Sequence, residues 1–148
     1  MPVKIFCCYA HEDEAYLNKL KTQLSPLRRQ GLIDVWHDRD IKAGASWESE
    51  IDQHLNAAQI ILLLVSPDFI NSDYCFGIEM KRALERRKLG EATVIPVILR
   101  RVHWRDLLGT IQALPTNSKP VKSWSDEDEA LYDVVEGISK VVKDLNKQ

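Results

Sequence analysis

The carboxylate of Glu79 is the side chain whose place in the sequence first suggests chemistry. It follows a strongly apolar run, residues 60–65, and lies in a segment with helical spacing that ends at Gly90. At 100° per residue, Glu79 falls at the margin of the apolar stripe of that helix, between Cys75 and Ala83. The pattern therefore predicts a carboxylate held against the edge of the core.

The same position has a plain structural alternative, an ion pair between Glu79 and Arg82 on a solvated helix face. Residues three apart on a helix are neighbours, and such a pair contributes roughly 0.2–0.5 kcal/mol. The helix pattern by itself favours this alternative.

Polar and aromatic side chains occur where the predicted strands run into the following helices. Ligands of a parallel sheet bind beyond the carboxyl ends of its strands, so these connections are expected to meet at one edge. Glu79 lies two turns into the helix that rises from that edge. The connections expected there are Tyr9-Ala10-His11, Trp36 to Ser46, Ser66 to Cys75, and His103-Trp104, and the site candidates among them include Asp38 and Arg39.

Five short apolar runs alternate with helical patterns and predict the sheet. They cover residues 4–9, 32–36, 60–65, 93–99 and 121–124. The third run is apolar throughout, as expected for a central parallel strand that is buried on both faces. The alternation implies an α/β fold, a parallel sheet with right-handed crossovers and helices on both faces.

Serine residues predict three helix starts, at Ser46, Ser66 and Ser72. Two prolines break the local rules. Pro26 lies inside a leucine pattern and should kink the last turn of the first helix or end it early. Pro96 lies inside the fourth strand, where a bulge would accommodate it.

Length and composition indicate a single domain over residues 1–148, because 45% of the residues are hydrophobic. The net charge of -2, with both signs interspersed, implies neither nucleic acid nor anionic membrane as a partner.

Three cysteines without ligand spacing, and histidines without metal spacing, predict a reducing, cytoplasmic protein without a metal. No apolar run approaches the ~20 residues of a membrane span, and no signal sequence precedes the first strand.

Two nucleotide or phosphate classes are excluded by their motifs. The six glycines form neither the G-x-G-x-x-G fingerprint nor a Walker A loop. A response-regulator receiver would need an acceptor Asp after the third strand, where this chain has Ser66.

Four segments of the sequence resemble motifs of the Toll/interleukin-1 receptor (TIR) domain family, especially those of its bacterial members. KIFCCYAHED at 4–13 is similar to the first box, and DVWHDRDIKAGASW at 34–47 is similar to the second box, the BB loop. VHW at 102–104 is close to the third box, and SPDFINSDYCFGIEMKRAL at 66–84 resembles the stretch that carries the family's glutamate. The resemblance covers nearly the whole chain and implies a flavodoxin-like three-layer fold with a five-stranded parallel sheet.

The resemblance implies two activities: self-association in signalling, and cleavage of the nicotinamide-ribose bond of NAD+ by members with the glutamate. Glu79 then takes the catalytic position, and NAD+ is a substrate, with no cofactor. Sugar glycosidases need two carboxylates, but nicotinamide leaves an already cationic ring as a neutral base, so no general acid is required. One carboxylate near the ribose can stabilise the positive charge that develops there. Water or the adenine then captures the ribosyl cation, giving ADP-ribose or a cyclic form.

Aromatic side chains would suit the flat, cationic nicotinamide, and each stacking or cation–π contact contributes about 1 kcal/mol. The candidates are Tyr9, Trp36, Trp47 and Phe76. Trp47 and Phe76 belong to apolar helix faces and are expected in the core, whereas Tyr9 is better placed at the end of a strand. In known active members a Trp often lies one turn before the glutamate; here that position is Cys75.

Asp38 and Arg39 of the BB loop are candidates to contact ribose hydroxyls or phosphates, although loop charges are more often simply solvated. In the family this loop also mediates assembly with other TIR domains. The expected function is an NAD+ glycohydrolase activated by self-association, an effector of bacterial antiviral defence. The alternative is a non-catalytic scaffold for TIR–TIR signalling. The polar ending at 143–148 is compatible with a domain cut from a longer protein.

Overall fold

The structure, a computed structural model, describes residues 2–37 and 43–147. Strands and helices alternate along this part of the chain. They are β1 (Val3–Cys8), α1 (Glu14–Arg29), β2 (Ile33–Trp36), α2 (Trp47–Ala57), β3 (Ile60–Val65), α3 (Pro67–Asn71), α4 (Lys81–Lys88), β4 (Thr93–Ile98), α5 (Arg105–Leu108) and α6 (Glu127–Asn146). A π-helical turn, Cys75–Met80, leads directly into α4, and short 3-10 helices lie at His11–Asp13, Thr116–Ser118 and Val121–Ser123.

β3 is the centre of the sheet, as its apolar sequence predicts. The strand order is β2-β1-β3-β4, and every pair of neighbours is parallel. All residues of Ile60–Val65 are completely buried. The α/β fold with a parallel sheet flanked by helices is therefore confirmed.

The two sides of the sheet have separate cores, because successive side chains of a strand point to opposite faces. Ile60 and Leu62 pack with residues of α1 and α6, and we call this side the α1–α6 face. Ile61 and Leu63 pack with residues of α2, α3, the π-helical turn and α5, and we call this side the α2–α4 face. The adjacent Cys7 and Cys8 of β1 consequently lie in different cores.

The predicted fifth strand is wrong. The segment Val121–Ser123 forms a 3-10 helix, and the outer edge of β4 carries a single parallel bridge between Val97 and Leu114. Leu114 uses both its N–H and its carbonyl toward β4. The next N–H that could face β4 is that of Thr116, and it donates to the carboxylate of Asp133 at 2.6 Å, so the pairing does not continue along the edge. Within the described ranges the sheet therefore has four strands.

Pro96 lies in β4 without the predicted bulge. The register between β3 and β4 is unbroken over six residue pairs. The carbonyl of Pro96 accepts a hydrogen bond from the N–H of Leu114 at 2.8 Å, so the backbone of Pro96 faces away from β3. A proline here removes no hydrogen bond from the ladder with β3, and the strand has no reason to bulge.

α1 continues through Pro26 to Arg29, so the expected early end is wrong. A proline in a helix leaves the carbonyl four residues earlier without its usual donor. Here that carbonyl belongs to Thr22, and the hydroxyl of Ser25 donates to it at 2.7 Å. A local side chain thus replaces the missing N–H, and the helix gains another turn.

The three predicted serine caps are confirmed. Ser46, Ser66 and Ser72 each accept a hydrogen bond from the backbone N–H three residues later, at 3.5, 3.0 and 3.1 Å. Each bond satisfies one of the N–H groups that a helix start leaves without a partner. The caps fix the starts of α2, α3 and the segment that enters the π-helical turn.

α6 is the longest helix and covers the α1–α6 face. It begins at Glu127, with the carboxylate of Asp126 accepting from the N–H of Asp128 at 2.9 Å. Its buried side includes Leu131, Val134 and Ile138, as its apolar spacing predicts. No helix in the described ranges combines the length and apolar character that crossing a bilayer requires.

The π-helical turn changes which side chains face the core. In such a turn each N–H bonds five residues back instead of four, so the 100° spacing used for the sequence does not apply. Cys75, Glu79 and Met80 are all buried in this turn, and the burial of Glu79 agrees with its predicted place at the edge of the core. The chain then returns to α-helical geometry in α4, and Gly90, just beyond the end of this helix, has a φ of 74°, where glycine is favoured.

Candidate active site

A cavity of about 380 Å³ opens beyond the carboxyl ends of β1 and β3. Its walls come from the segment after β1, the start of α2, α3 and the π-helical turn. The lining residues are Tyr9, Ala10, His11, Glu12, Trp47, Asp68, Asn71, Ser72, Tyr74, Cys75 and Glu79. Six of the residues predicted from the sequence for the site therefore meet in one cavity.

Glu79 lies in the wall of this cavity and is only 5% exposed. Arg82, its expected partner on a solvated face, contacts Glu85 at 3.2 Å and Asn56 at 2.8 Å. The solvated-face alternative does not describe Glu79, because the π-helical turn directs its side chain to the buried side of the helix. A carboxylate buried at the wall of a cavity keeps access to a bound molecule with little competing water.

Trp47 and Tyr74 form an aromatic pair on the cavity wall. Their ring centroids are 4.8 Å apart, and the ring planes are tilted by 41°. Trp47 is 46% exposed, so the expectation that it packs in the core is wrong. The face of α2 that does reach the core starts one turn later, with Ile51 and Leu55.

Tyr74 is close enough to Glu79 for their charges to interact. Burial, followed by the negative charge of Glu79, raises the pKa of the Tyr74 phenol well above its ordinary value. The phenol therefore stays protonated and neutral at physiological pH. The Tyr74 phenol therefore adds no charge of its own beside the carboxylate of Glu79.

Tyr9, Ala10 and His11 form the wall opposite α2. Tyr9 is 4% exposed and lies 5.9 Å from the ring of His11 and 6.1 Å from the ring of His37, measured between centroids. The thiol of Cys75 donates to the carbonyl of Tyr9 at 3.3 Å. This bond ties the π-helical turn to the end of β1, which brings two walls of the cavity together.

A second polar link lies beneath the cavity and joins three strand ends. The buried carboxylate of Asp13 accepts from the hydroxyl of Ser66 and from the guanidinium of Arg100, the latter at 3.0 to 3.2 Å. Arg100 also pairs with Asp68 of the cavity wall at 2.5 Å. The segments after β1, β3 and β4 are thereby held at fixed positions around the site.

Burial also controls the thiol of Cys8. Burial first, and the nearby charge of Glu79 second, raise the pKa of the Cys8 thiol well above its ordinary value. The thiolate, which is the nucleophilic form of cysteine, is therefore disfavoured at this position. Of these two groups, the carboxylate of Glu79 is therefore the better candidate for a chemical role in the site.

Three predicted site residues lie elsewhere. Trp36 stacks on Phe6 at 5.2 Å and on His54 at 4.2 Å between ring centroids, away from the cavity lining. Ser66 is completely buried and serves as a cap and as a donor to Asp13. Phe76 packs against the core of the α2–α4 face, as its helix position suggests.

Asp38 and Arg39 lie outside the described residues, together with the rest of 38–42 in the BB-loop sequence between β2 and α2. His103 and Trp104 are at the same edge of the sheet but line a different concavity, of about 510 Å³. There the guanidinium of Arg105 lies 4.7 Å from the centroid of the Trp104 ring. This second concavity lacks the buried carboxylate that distinguishes the first.

Sequence reasoning placed the connection from Ser66 to Cys75 at this edge but did not name every lining residue as a site residue. The lining residues that it did not name are Glu12, Asp68, Asn71, Ser72 and Tyr74. Four of them belong to the stretch between β3 and the π-helical turn. That stretch changes direction after α3, whose five residues end at Asn71. The cap at Ser72 was the available signal, because a new helix start places the preceding residues on a turn that faces the sheet edge.

Comparisons with known proteins give the family context. A family model described as TIR domain matches residues 5–132. The chain is 50% identical over 135 residues to an uncharacterized protein, y4lF, of Sinorhizobium fredii (strain NBRC 101917 / NGR234). The match covers 90% of this chain and 42% of that relative, so the chain spans less than half of the relative's length.

Solved structures of TIR domains share the fold. The TIR domain of the Toll-related receptor TRR-2 from Hydra magnipapillata has 20% identity and a TM-score of 0.67, covering 94% of this chain and 97% of that one. The TIR domains of the activated Roq1 resistosome have 23% identity and a TM-score of 0.54, covering 64% and 56%. The RPS4 and RRS1 TIR domain heterodimer has 15% identity and a TM-score of 0.55, covering 95% and 97%. At these identities the likeness shows the fold alone.

Proposed function

This chain belongs to the TIR domain family, and from that premise we propose that it is an NAD+ glycohydrolase in which Glu79 is the catalytic carboxylate. The observation that carries the proposal is the burial of Glu79 in the wall of a 380 Å³ cavity at the carboxyl edge of the sheet. A surface ion pair would need neither the burial nor the cavity. Open parallel sheets bind their ligands at this edge.

The reaction breaks the bond between the nicotinamide nitrogen and the anomeric carbon of the ribose. The bonding electron pair leaves with nicotinamide, whose ring loses its positive charge, and the ribose carbon becomes cationic. Glu79 contributes a fixed negative charge near that carbon, and such preorganised charge is worth more where water is excluded. Attack by water and loss of a proton then give ADP-ribose, and attack by the adenine gives a cyclic form.

Self-association is the second part of the proposal. Two of the structural neighbours are assemblies, an activated resistosome and a TIR domain heterodimer. We propose that this chain likewise pairs with other TIR domains, through the BB loop, and that pairing activates the enzyme in the cytoplasm as part of antiviral defence. A scaffold without catalysis is the competing function, and the same assemblies favour it.

The test measures nicotinamide release from NAD+ by the purified domain at high concentration with a crowding agent, beside Glu79→Gln. Glu85→Gln is the matched control, because Glu85 lies on the continuous helical segment but is exposed and pairs with Arg82. We expect release from wild type and Glu85→Gln, and none from Glu79→Gln. Absence of release from all three would support the scaffold, and equal release from all three would mean that Glu79 is not the catalytic residue.

A further inference from the structure

We propose that the exposed end of α4 in one copy of this chain docks into an acidic concavity beside α6 in a second copy. The proposed function assigns self-association to the BB loop, and this contact is a separate one. It requires no catalysis, so it can be tested without NAD+.

The concavity has a volume of about 550 Å³ and lies against α6 on the α1–α6 face, and we call it the α6 concavity. Its lining residues are Gln23, Trp124, Asp128, Glu129, Tyr132 and Asp133, and none of them is basic. Asp133 is already engaged, because its carboxylate accepts from the N–H and the hydroxyl of Thr116 at 2.6 and 2.7 Å. Asp128 and Glu129 form no ion pair within the described ranges, so their carboxylates are available to a cation.

Aromatic surface lies beside these carboxylates. Tyr132 is 60% exposed, and the indole N–H of Trp124 donates to the carbonyl of Lys119 at 3.0 Å. The ammonium group of Lys119 lies 5.6 Å from the centroid of the Trp124 ring but does not line the concavity. Aromatic surface next to free carboxylates suits an apolar side chain that is flanked by cations.

The end of α4 presents that combination. Leu89 follows the helix directly and, at 67%, is the most exposed large hydrophobic side chain of the described residues. Arg87 and Lys88 precede it, both are exposed, and neither pairs with an acidic side chain in the part of the chain that the structure describes. We call residues 87–89 the α4 end. Its two cations and its apolar side chain match the charge and the surface of the α6 concavity.

Hydrogen bonds hold the α4 end in place. The N–H of Gly90 donates to the carbonyl of Arg87 at 3.0 Å. The N–H of Glu91 donates to the carbonyl of Arg86 at 2.8 Å, which completes a Schellman motif. A segment that is already ordered loses little conformational entropy when it binds a partner.

A second copy of this chain is the occupant that the charges favour. Each copy carries one basic α4 end and one acidic α6 concavity, so two copies attract each other through unlike surfaces. Two α6 concavities would repel each other, and so would two α4 ends, because like charges across an interface are unfavourable. A symmetric pair through either surface is therefore disfavoured.

The two surfaces lie on opposite sides of the sheet, since α6 packs on the α1–α6 face and α4 packs on the α2–α4 face. One neighbour cannot reach both surfaces of a rigid domain at once, so the contact is head to tail. Every assembly then keeps one α4 end and one α6 concavity unoccupied, and the product is an open chain of copies.

Sedimentation velocity of the purified domain over a range of concentrations tests this contact. The wild type should form species larger than a dimer as the concentration rises. Raising the salt from about 0.05 to about 0.5 M should shift these species toward the monomer, because salt screens exposed charges. Charge reversal of either surface should weaken association by about 10-fold. One variant is Arg87→Glu with Lys88→Glu, and the other is Asp128→Lys with Glu129→Lys.

Arg28→Glu with Arg29→Glu is the matched control, since both are exposed arginines in the last turn of α1. It makes the same change of charge at a helix end and should leave association within about 2-fold of the wild type. Thermal unfolding of each variant shows whether the fold is kept.

Mixing the two charge-reversal variants separates this contact from a loss of folding. Each variant repels its own copies, but in the mixture the α4 end of each variant meets a concavity of opposite charge in the other. Association in the mixture should therefore return to within about 3-fold of the wild type. A mixture that associates no better than the separate variants would overturn the inference.

Two further outcomes would also overturn it. A wild-type domain that stays monomeric would assign the α6 concavity to a basic segment of a different protein. Charge-reversal variants that associate like the wild type would leave self-association to the BB loop alone.

Nicotinamide release from the same samples keeps this contact apart from the proposed reaction. Association that follows these charges in a domain that cleaves no NAD+ would support the contact and reject the reaction. Cleavage of NAD+ by a domain whose association ignores these charges would support the reaction and reject the contact.

Discussion

The two faces of the sheet are built on different principles. On the α1–α6 face, α6 closes the core with apolar side chains such as Leu131, Val134 and Ile138. The α2–α4 face buries two charged side chains, Glu79 and Arg86, within about two turns of each other along the helix. One face is closed by apolar side chains, and the other accepts the cost of burying charged groups, of which only Glu79 lines the cavity at the sheet edge.

The two buried charges of the α2–α4 face also differ from each other. Arg86 donates to the carbonyls of Leu55 and Ala58 at 2.8 and 2.7 Å, and to the carbonyl of Glu91 at 3.1 Å. These bonds join the end of α2, α4 and the start of β4 and give Arg86 a structural role. Glu79 instead lines a cavity, so burial on this face has two separate uses.

The largest expected effect is the loss of activity in a Glu79 variant, which tests the role of the α2–α4 face. Glu79→Gln should lower nicotinamide release by at least ~100-fold, because it removes the charge that stabilises the ribosyl cation. Its melting temperature should stay close to that of the wild type, because glutamine has the same shape. The measurements are turnover of NAD+ and thermal unfolding of the same samples. A large loss of stability in this variant would make Glu79 a structural residue.

Leu131→Ala should give the opposite result. Truncating this completely buried side chain of α6 should lower the free energy of unfolding by about 3 kcal/mol, through lost burial and a residual cavity. Chemical denaturation measures that loss. Activity per folded molecule should be unchanged, since Leu131 is on the opposite face from the site. A change in KM for NAD+ would show that the two faces are coupled.

Arg86→Met tests the structural charge of the α2–α4 face. The methionine keeps part of the bulk but donates no hydrogen bonds, so the carbonyls of Leu55 and Ala58 lose their donor. Unsatisfied buried acceptors cost ~1–3 kcal/mol each, and we expect a loss of about 2 kcal/mol in denaturation experiments. Arg87→Met, at the exposed neighbouring position, is the control and should change stability by less than ~0.5 kcal/mol.

Ser66→Ala should have a smaller effect, about 1–2 kcal/mol, measured by denaturation. It removes the cap of α3 and one donor to the buried carboxylate of Asp13. Ser46→Ala is the comparison, because Ser46 caps α2 at an exposed position with a longer bond of 3.5 Å. If both variants lose the same amount, the link to Asp13 adds nothing to the cap.

The smallest effect is expected for Cys8 at alkaline pH. Its folded-state pKa is raised, so the folded form binds a proton that the unfolded form releases as the pH passes about 9. Stability is therefore fully present below that pH and declines as the pH rises. In Cys8→Ala the decline between pH 9 and 10 should be shallower, as measured by denaturation midpoints. An unchanged slope would place the alkaline sensitivity in another group.

Sequence reasoning predicted the features that depend on local pattern. The bounds of β3 and the caps at Ser46, Ser66 and Ser72 agree with the structure, since each depends on a few adjacent residues. The convergence of the site at the carboxyl edge followed from the alternation of strands and helices.

The burial of Glu79 at the edge of the core was predicted from the helical spacing. The misses depended on contacts between distant segments or on a local side chain. Trp47 lines the cavity instead of the core, because the buried face of α2 starts one turn later, at Ile51. The outer edge of β4 forms hydrogen bonds with Leu114 instead of with a fifth strand. This pairing depends on tertiary packing, which local sequence patterns do not reveal. Pro26 was misjudged because the side chain of Ser25 supplies the missing donor.

The extra residue of the π-helical turn affects how the side chains on either side of it are oriented. This turn contains one residue more than the α-helical turn it replaces, between a segment anchored by Ser72 and a helix anchored by Arg86. Deleting Gly77, whose missing side chain makes no contact within 4 Å, would convert this turn to regular α-helix without creating a gap in the core. The deletion would leave Glu79 four residues from the buried Ala83 but reduce its spacing to Cys75 from four residues to three. Cys75, which is bonded to the carbonyl of Tyr9, and Glu79 would then no longer lie on the same side of the helix at the same time. The extra residue of the π-helical turn is therefore what allows the link to β1 and the carboxylate of the cavity to exist together.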